Sequence, residues 1–240
     1  MTKVTYLDHS GFTLTTPHAI LVFDYYRDPS HSLKKELDEN PELPVIFFVS
    51  HRHSDHYNPG IFEIAQNRRR TYVISNDVPA REIPSTLAVA GMSAGDTIEN
   101  LPGNIEVRAY GSTDAGVSFL VTTSDGKKIF HAGDLNDWHW QDESTPQEAE
   151  QAHHRFQCIL DRIAADNPVI DIAMFPVDSR QGTDYSRGAR MLLQSVDVKE
   201  FFPMHFGAAH DNACDFDTYS TDPETRCHCL RHPGQSADIA

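Results

Sequence analysis

The chain has 240 residues, with 20 Lys and Arg against 35 Asp and Glu, for a formal net charge of −15. One domain over 1–240 can bury a full core at this length, and no linker, repeat or low-complexity tract interrupts it. The acidic balance disfavours a nucleic-acid partner, because phosphate backbones are held by basic surface, and no apolar stretch reaches the roughly 20 residues that span a bilayer.

The start, MTKVTYLDHS, lacks the apolar run of a signal peptide, so the expected setting is the cytoplasm. Cys158, Cys214, Cys227 and Cys229 fit a reducing compartment, with no disulfide framework expected. Strand-like runs dominate the first two-thirds: VTYL, FTLTT, AILVFDYY, VIFFVS, TYVIS, IEVRAY, VSFLVTT and KKIFHAGD. VIFFVS is apolar nearly throughout and predicts a central strand covered on both faces. The SDG at 124–126 predicts a hairpin turn.

Asn58-Pro59 opens a predicted helix over 59–68, with Arg68-Arg69-Arg70 at its C-terminal end. Thr145-Pro146 opens the clearest one, over 145–165, with Phe156, Ile159, Leu160 and Ile163 on one face. A third is expected over 184–195. IDIAMFPVD and EFFPMHF predict two more buried strands, and the whole order suggests sheet layers flanked by helices.

The stretch SHRHSDHYNPG follows a predicted buried strand and carries His51, His53, Asp55 and His56. Residues at i and i+2 on a strand end point the same way. Imidazole and carboxylate are the ligand types that zinc takes outside thiolate sites.

The HxHxDH pattern, the GD pair that supplies Asp134 and the late FFPMHF that supplies His205 resemble the metallo-β-lactamase superfamily. The likeness covers nearly the whole chain. It implies a four-layer αββα sandwich of the α/β (α+β) class, with a one- or two-metal site on one edge. By resemblance, His51 and His53 would hold one ion, Asp55, His56 and His205 a second, and Asp134 would bridge them. The family usually places another histidine before the GD pair, but the stretch AYGSTDAGVSFLV has none. Asp114 would take that role, or Ser112, or the first site is weak and one ion serves. The openings YLDHSGFTL and LVFDYY resemble the branch containing ascorbate-6-phosphate lactonase. They put His9 and Asp24 at the rim of the site or behind it.

The implied chemistry is hydrolysis by metal-activated hydroxide of a small ester, lactone or phosphoester. Zn2+ is expected, as one or two ions, with Mn2+, Fe2+ or Mg2+ as alternatives where the donors are oxygen-rich. Asp55 would orient the hydroxide and His131 would hydrogen-bond a ligand or a departing group. Arg180, Tyr185 and Arg187 would bind substrate, Arg180 or Arg187 by clamping an anionic group, and Asp178 belongs to the same stretch. Trp138 and Trp140 would wall the pocket or pack in the core. The alternatives on the same fold are a redox di-iron protein and a non-catalytic metal or ligand sensor. The expected partner is a small molecule, a homo-oligomer is left open, and a structural zinc in the Cys- and His-bearing tail is disfavoured by its tight spacing.

Overall fold

The structure, a computed structural model, describes residues 1–220 and 222–240. Its strands run β1 (Thr2–Asp8), β2 (Gly11–Thr15), β3 (Ile20–Phe23), β4 (Val45–Val49), β5 (Arg70–Ser75), β6 (Val89–Met92), β7 (Thr97–Leu101), β8 (Ile105–Gly111), β9 (Val117–Thr122), β10 (Lys128–His131), β11 (Val169–Pro176), β12 (Asp197–Met204), β13 (Arg226–Cys227) and β14 (Ser236–Ile239). The helices are α1 (Ser32–Glu39), α2 (Pro146–Asp166), α3 (Arg187–Ser195) and the single turn α4 (His210–Ala213). One sheet has the order β14-β1-β2-β3-β4-β5-β6 and the other β13-β12-β11-β10-β9-β8-β7.

The continuous apolar run of β4 has a simple cause. Ile46 and Phe48 point between the sheets, into a core shared with Phe119, Val121 and Phe130. Val45, Phe47 and Val49 alternate onto the outer face, where Leu33 and Leu37 of α1 cover them. On the second sheet, α2 buries Ala152, Phe156, Leu160 and Ile163. Its start is set by a reciprocal capping box between Thr145 and Glu148. Helix α3 packs beside it against β11 and β12. Layers of helix, sheet, sheet and helix follow, as the resemblance implies.

Four local expectations need correction. The predicted helix over 59–68 is only a 3-10 turn over Pro59–Glu63, because the chain must return to β5, which begins at Arg70 and pairs in parallel with β4. Ala65, at φ 54°, helps to turn it back. The basic run does meet a helix C-terminus, but that of α1: Arg68 donates to the Leu37 and Asn40 carbonyls at 2.7 and 2.9 Å. Helix α1 itself was not anticipated. Cys214 and Cys229 are joined in a disulfide, against the expectation of free thiols, and that pairing leaves no thiol pair for a zinc in the tail. Among the described residues, no helix is long and apolar enough to cross a membrane.

β3 and β4 run parallel, as do β10, β11 and β12. The two antiparallel pairings β1–β2 and β2–β3 make β1 parallel to β3. The C-terminal ends of β1, β3, β4, β10, β11 and β12 therefore open onto one edge of the sandwich, where the candidate site lies.

Candidate metal centre

Each of those strand ends delivers a polar side chain just beyond its last residue: His9, Asp24, the 51–56 cluster, Asp134, Asp178 and His205. His9, Asp24 and His205 adopt φ values of 53°, 41° and 62°, a conformation uncommon for non-glycine residues and concentrated at functional sites. The sheets are stitched together here, with the His205 amide donating to the His9 carbonyl at 3.1 Å and the Val117 amide to that of Ser50 at 3.0 Å. Gly133, at φ 54°, passes so close that a Cβ would lie 2.7 Å from that of Ser50. The GD pair thus needs its glycine to bring Asp134 inward.

Asp134 is the hub. Its Oδ2 lies 3.3 Å from His51 Nε2, and its Oδ1 lies 3.0 Å from His56 Nε2 and 3.3 Å from His205 Nε2. The facing atoms are buried, yet His51 Nε2, His56 Nε2, His9 Nε2 and Asp134 Oδ1 have no partner of hydrogen-bond geometry among the described residues. They surround a common space instead of pairing off. Buried polar atoms are rarely left so, and an imidazole–carboxylate donor set of this kind fits a divalent cation. His51, His53 and Asp134 form one group whose ligand atoms all lie within 4.8 Å of one another, and His9, Asp55, His56 and His205 form another.

The outer nitrogens explain why the inner ones are bare. His56 Nδ1 donates to Asp24 at 2.7 Å and His205 Nδ1 to Asp178 at 3.0 Å. The Ser50 hydroxyl donates to Asp24 at 2.6 Å, so its oxygen accepts from His51 Nδ1 at 2.9 Å. With Nδ1 carrying the proton in each ring, the Nε2 lone pair points inward, the arrangement that orients metal-binding histidines. Burial opposes ionisation of Asp24, but the His131 and His56 rings hold its carboxyl below the ordinary range. Burial likewise opposes Asp134, and His51 and His56 outweigh it. The His9 contact holds the Asp55 carboxyl low as well. In the protein without metal, burial disfavours charge on His56, but Asp134 and Asp24 push its pKa up to about 10.

A pocket of about 330 Å³ opens onto this cluster, lined by His53, Asp55, Thr113, Asp114, Asp134, Trp138, Trp140, Asp178, Arg180 and His205. A depression of similar size beside α1, lined by Tyr25, Leu37 and Arg68 among others, holds none of these residues. Asp114 is at the pocket, half exposed, with its carboxylate 3.9 Å from His53 Nδ1. It lies outside the groups of converging ligand atoms.

Three expected positions differ. His131 is fully buried, stacked on Phe23 at 5.0 Å, and its Nε2 donates to the Ser10 carbonyl at 2.8 Å. It lies between the sheets behind Asp24 and does not line the pocket. The Tyr185 hydroxyl donates to the Asn212 carbonyl at 3.1 Å, and Arg187 donates to buried Asp137 at 2.8 Å. Neither lines the pocket, because the chain turns away from the edge after Gly182 to begin α3. Arg180 does line it, and its guanidinium forks the Asp178 carboxylate. That contact and His205 hold Asp178, against its burial, down to about 2. His9 is more central than a rim position: its Nε2 is 3.4 Å from Asp55 and its ring 4.1 Å from that of His205. The signal for it was the strand end in LDHSG.

An αββα sandwich with imidazoles and carboxylates converging at one edge defines a class of metal-site proteins. Residues 3–150 match the beta-lactamase superfamily domain, and the chain belongs to that superfamily. A UPF0173 metal-dependent hydrolase of Nitratidesulfovibrio vulgaris is 26% identical over 216 residues, covering 86% of this chain and 80% of that protein. Another, from Rubrobacter xylanophilus, is 31% identical over 150 residues, 55% of this chain and 60% of that protein. Among solved structures, the metallo hydrolase Igni18 of Ignicoccus hospitalis aligns with a TM-score of 0.67 at 16% identity, over 100% of this chain and 99% of that one. CmlA, a diiron beta-hydroxylase of Streptomyces venezuelae, aligns at 0.66 and 14% identity over 99% of this chain and 54% of its own. At these identities the two structures attest the fold.

Proposed function

We propose that the protein is a metal-dependent hydrolase acting on a small ester, lactone or phosphoester. The observation that carries this reading is the pair of inward nitrogens of His51 and His56 facing the Asp134 carboxylate without a hydrogen-bond partner among the described residues, each with its outer nitrogen already held. The family and the names of the relatives agree with it.

His51, His53 and Asp134 would hold one ion and Asp55, His56 and His205 the second, with Asp134 shared, His9 closing the second group and Asp114 beside the first. Divalent ions, zinc foremost, would supply a lowered water pKa and Lewis-acid polarisation there. The chain's own work is to orient and to exclude. Asp24, Ser50 and Asp178 keep the imidazole lone pairs aimed inward. Asp55, at the pocket wall, would orient the attacking water. Arg180, already neutralised in part by Asp178, faces the opening and would meet an anionic substrate group. The expected cytoplasmic setting has one observation against it, the Cys214–Cys229 bond.

The test is hydrolysis of a panel of aryl esters, lactones, phosphomonoesters and phosphodiesters by zinc- or manganese-loaded protein, with Asp134→Ala alongside. Turnover of at least one class, lost by a factor of 100 or more in the variant, is expected from removing a shared ligand. Full metal loading without turnover of any class would leave a sensor as the better reading.

A further inference from the structure

The chain has two tryptophans, and both line this one pocket. Their rings stack nearly parallel, with centroids 6.2 Å apart and planes inclined by 16°. Trp138 also lies 5.4 Å from the His205 ring, so the pair borders the metal centre directly. The polar edge of Trp138 is already used, its indole N–H donating to the Asp134 carbonyl at 2.8 Å. What it offers the pocket is apolar π surface.

The pair is held in place rather than loosely exposed. Between the two, His139 is buried and bound at both nitrogens. Its Nε2 donates to the Asp184 carbonyl at 3.2 Å, and its Nδ1 accepts from the Gln141 amide at 3.2 Å. Anchoring the middle residue inward leaves its two neighbours half-buried at the pocket. Trp140 sits at φ 39°, a conformation a bulky side chain rarely takes. The Glu143 and Ser144 amides, at 2.9 and 2.8 Å from its carbonyl, hold it there. Asp142 then straps this loop to the Arg180 loop by accepting from the Thr183 amide at 2.7 Å. Backbone strain maintained around an aromatic side chain beside a reactive centre points to function more than to packing.

Resting on the hydrolase reading, we propose that Trp138 and Trp140 form a stacking platform for the leaving group, and that the substrate is an ester or phosphoester of an aryl alcohol. A saturated lactone would make little use of such a wall. The pocket, at about 330 Å³, takes one ring and the adjoining acid group. The platform's closeness to the metal centre joins that ring directly to the ester oxygen. In the step, a water oxygen bonds to the acyl carbon or phosphorus, the bond to the aryl oxygen breaks, and the phenol leaves carrying a proton.

The experiment compares phenyl phosphate, cyclohexyl phosphate and inorganic phosphate as ligands of the metal-loaded full chain, by calorimetry and by tryptophan emission. Phenyl and cyclohexyl phosphate match in charge and size and differ in the π face. Phenyl phosphate is expected to bind about tenfold more tightly, as an aromatic pair's added stabilisation implies, and to quench the emission, which arises from this pocket alone. Trp140→Ala should shrink the preference to within about twofold, Trp140→Phe should retain most of it, and inorganic phosphate should bind all three forms alike. Equal affinities for the two ring phosphates, or a preference that survives Trp140→Ala, overturns the platform while leaving the metal centre intact. The underlying hydrolase reading falls separately, if the metal-loaded chain turns over none of the ester, lactone or phosphoester classes.

Discussion

Asp24 illustrates how much of this site lies in residues that a substrate would never touch. Its two oxygens accept from the Ser50 amide, the Ser50 hydroxyl and His56 Nδ1, at 2.6 to 2.7 Å. Two inward-facing imidazoles thus depend on one buried carboxylate. Asp24→Asn keeps the shape but alters the donor pattern, so metal affinity measured by chelator competition should fall about 10- to 100-fold. An unchanged affinity would show that the rings orient themselves. Asp114 poses the complementary question, because it lies beside the first group without joining it. If it is a ligand, metal content by mass spectrometry should drop by about one ion per chain in Asp114→Ala. Equal content in both forms would make it part of the pocket wall. The HxHxDH cluster, Asp134 and His205 were legible because each follows a recognisable strand. His131 was misread because three residues of separation from Asp134 says nothing about which side of the sheet end it faces. Tyr185 and Arg187 were misread because the chain turns from edge to helix within a few residues.

The loop between β10 and α2 carries both tryptophans, and buried His139 is its fastening. Burial, and then the nearby Arg187, hold this imidazole below its ordinary 6.5. A histidine depressed in the folded state contributes stability that is full above pH 6.5 and declines as pH falls through it, since the unfolded chain takes up the proton first. Acidification from pH 7.5 to 5 should therefore loosen the loop and shift the tryptophan emission to the red. His139→Gln should flatten that dependence, and an unaltered profile would place the pH response elsewhere. At the other end of the loop, Thr145→Ala removes the capping box of α2 and should cost about 1 kcal/mol in denaturant unfolding. Helix α2 was readable from its cap and its apolar face. Helix α1 was not, because its eight residues, SLKKELDE, bury only Leu33, Glu36 and Leu37 against a face of the first sheet that the sequence alone does not reveal.

For the whole molecule, the site draws its ligands from both sheets, so a bound ion cross-links the two halves of the sandwich. Stripping the metal should lower the melting temperature, by a margin that grows with affinity. A ligand present at 1,000 times its dissociation constant stabilises by about 4 kcal/mol. In the stripped protein, His56 is raised to about 10 from an ordinary 6.5. Its ion pairs with Asp24 and Asp134 then support the fold fully below pH 6.5, and that support is lost as pH rises through 10. The metal-bound form, with the proton displaced, should lack this dependence, and calorimetry in buffers of different ionisation enthalpy should register the released proton. The Cys214–Cys229 bond closes a 15-residue separation. Reducing it should cost on the order of 3 kcal/mol by the loop-entropy argument, and a smaller loss would mean that the tail is held by β14 pairing with β1.

The sequence by itself determined the chemistry of the ligands and the strands that bear them. Those signals are local: residue type, spacing and apolar periodicity within a few positions. It also settled that a strand as apolar as β4 must be covered on both faces. Only the tertiary structure decided which histidine faces the pocket and which is buried, that Arg187 serves Asp137 instead of a substrate, that two distant cysteines meet, and that two tryptophans separated by a buried histidine share one wall. Each of those facts depends on which strand ends reach the same edge, and that follows from the order and direction of the paired strands rather than from any short stretch of chain.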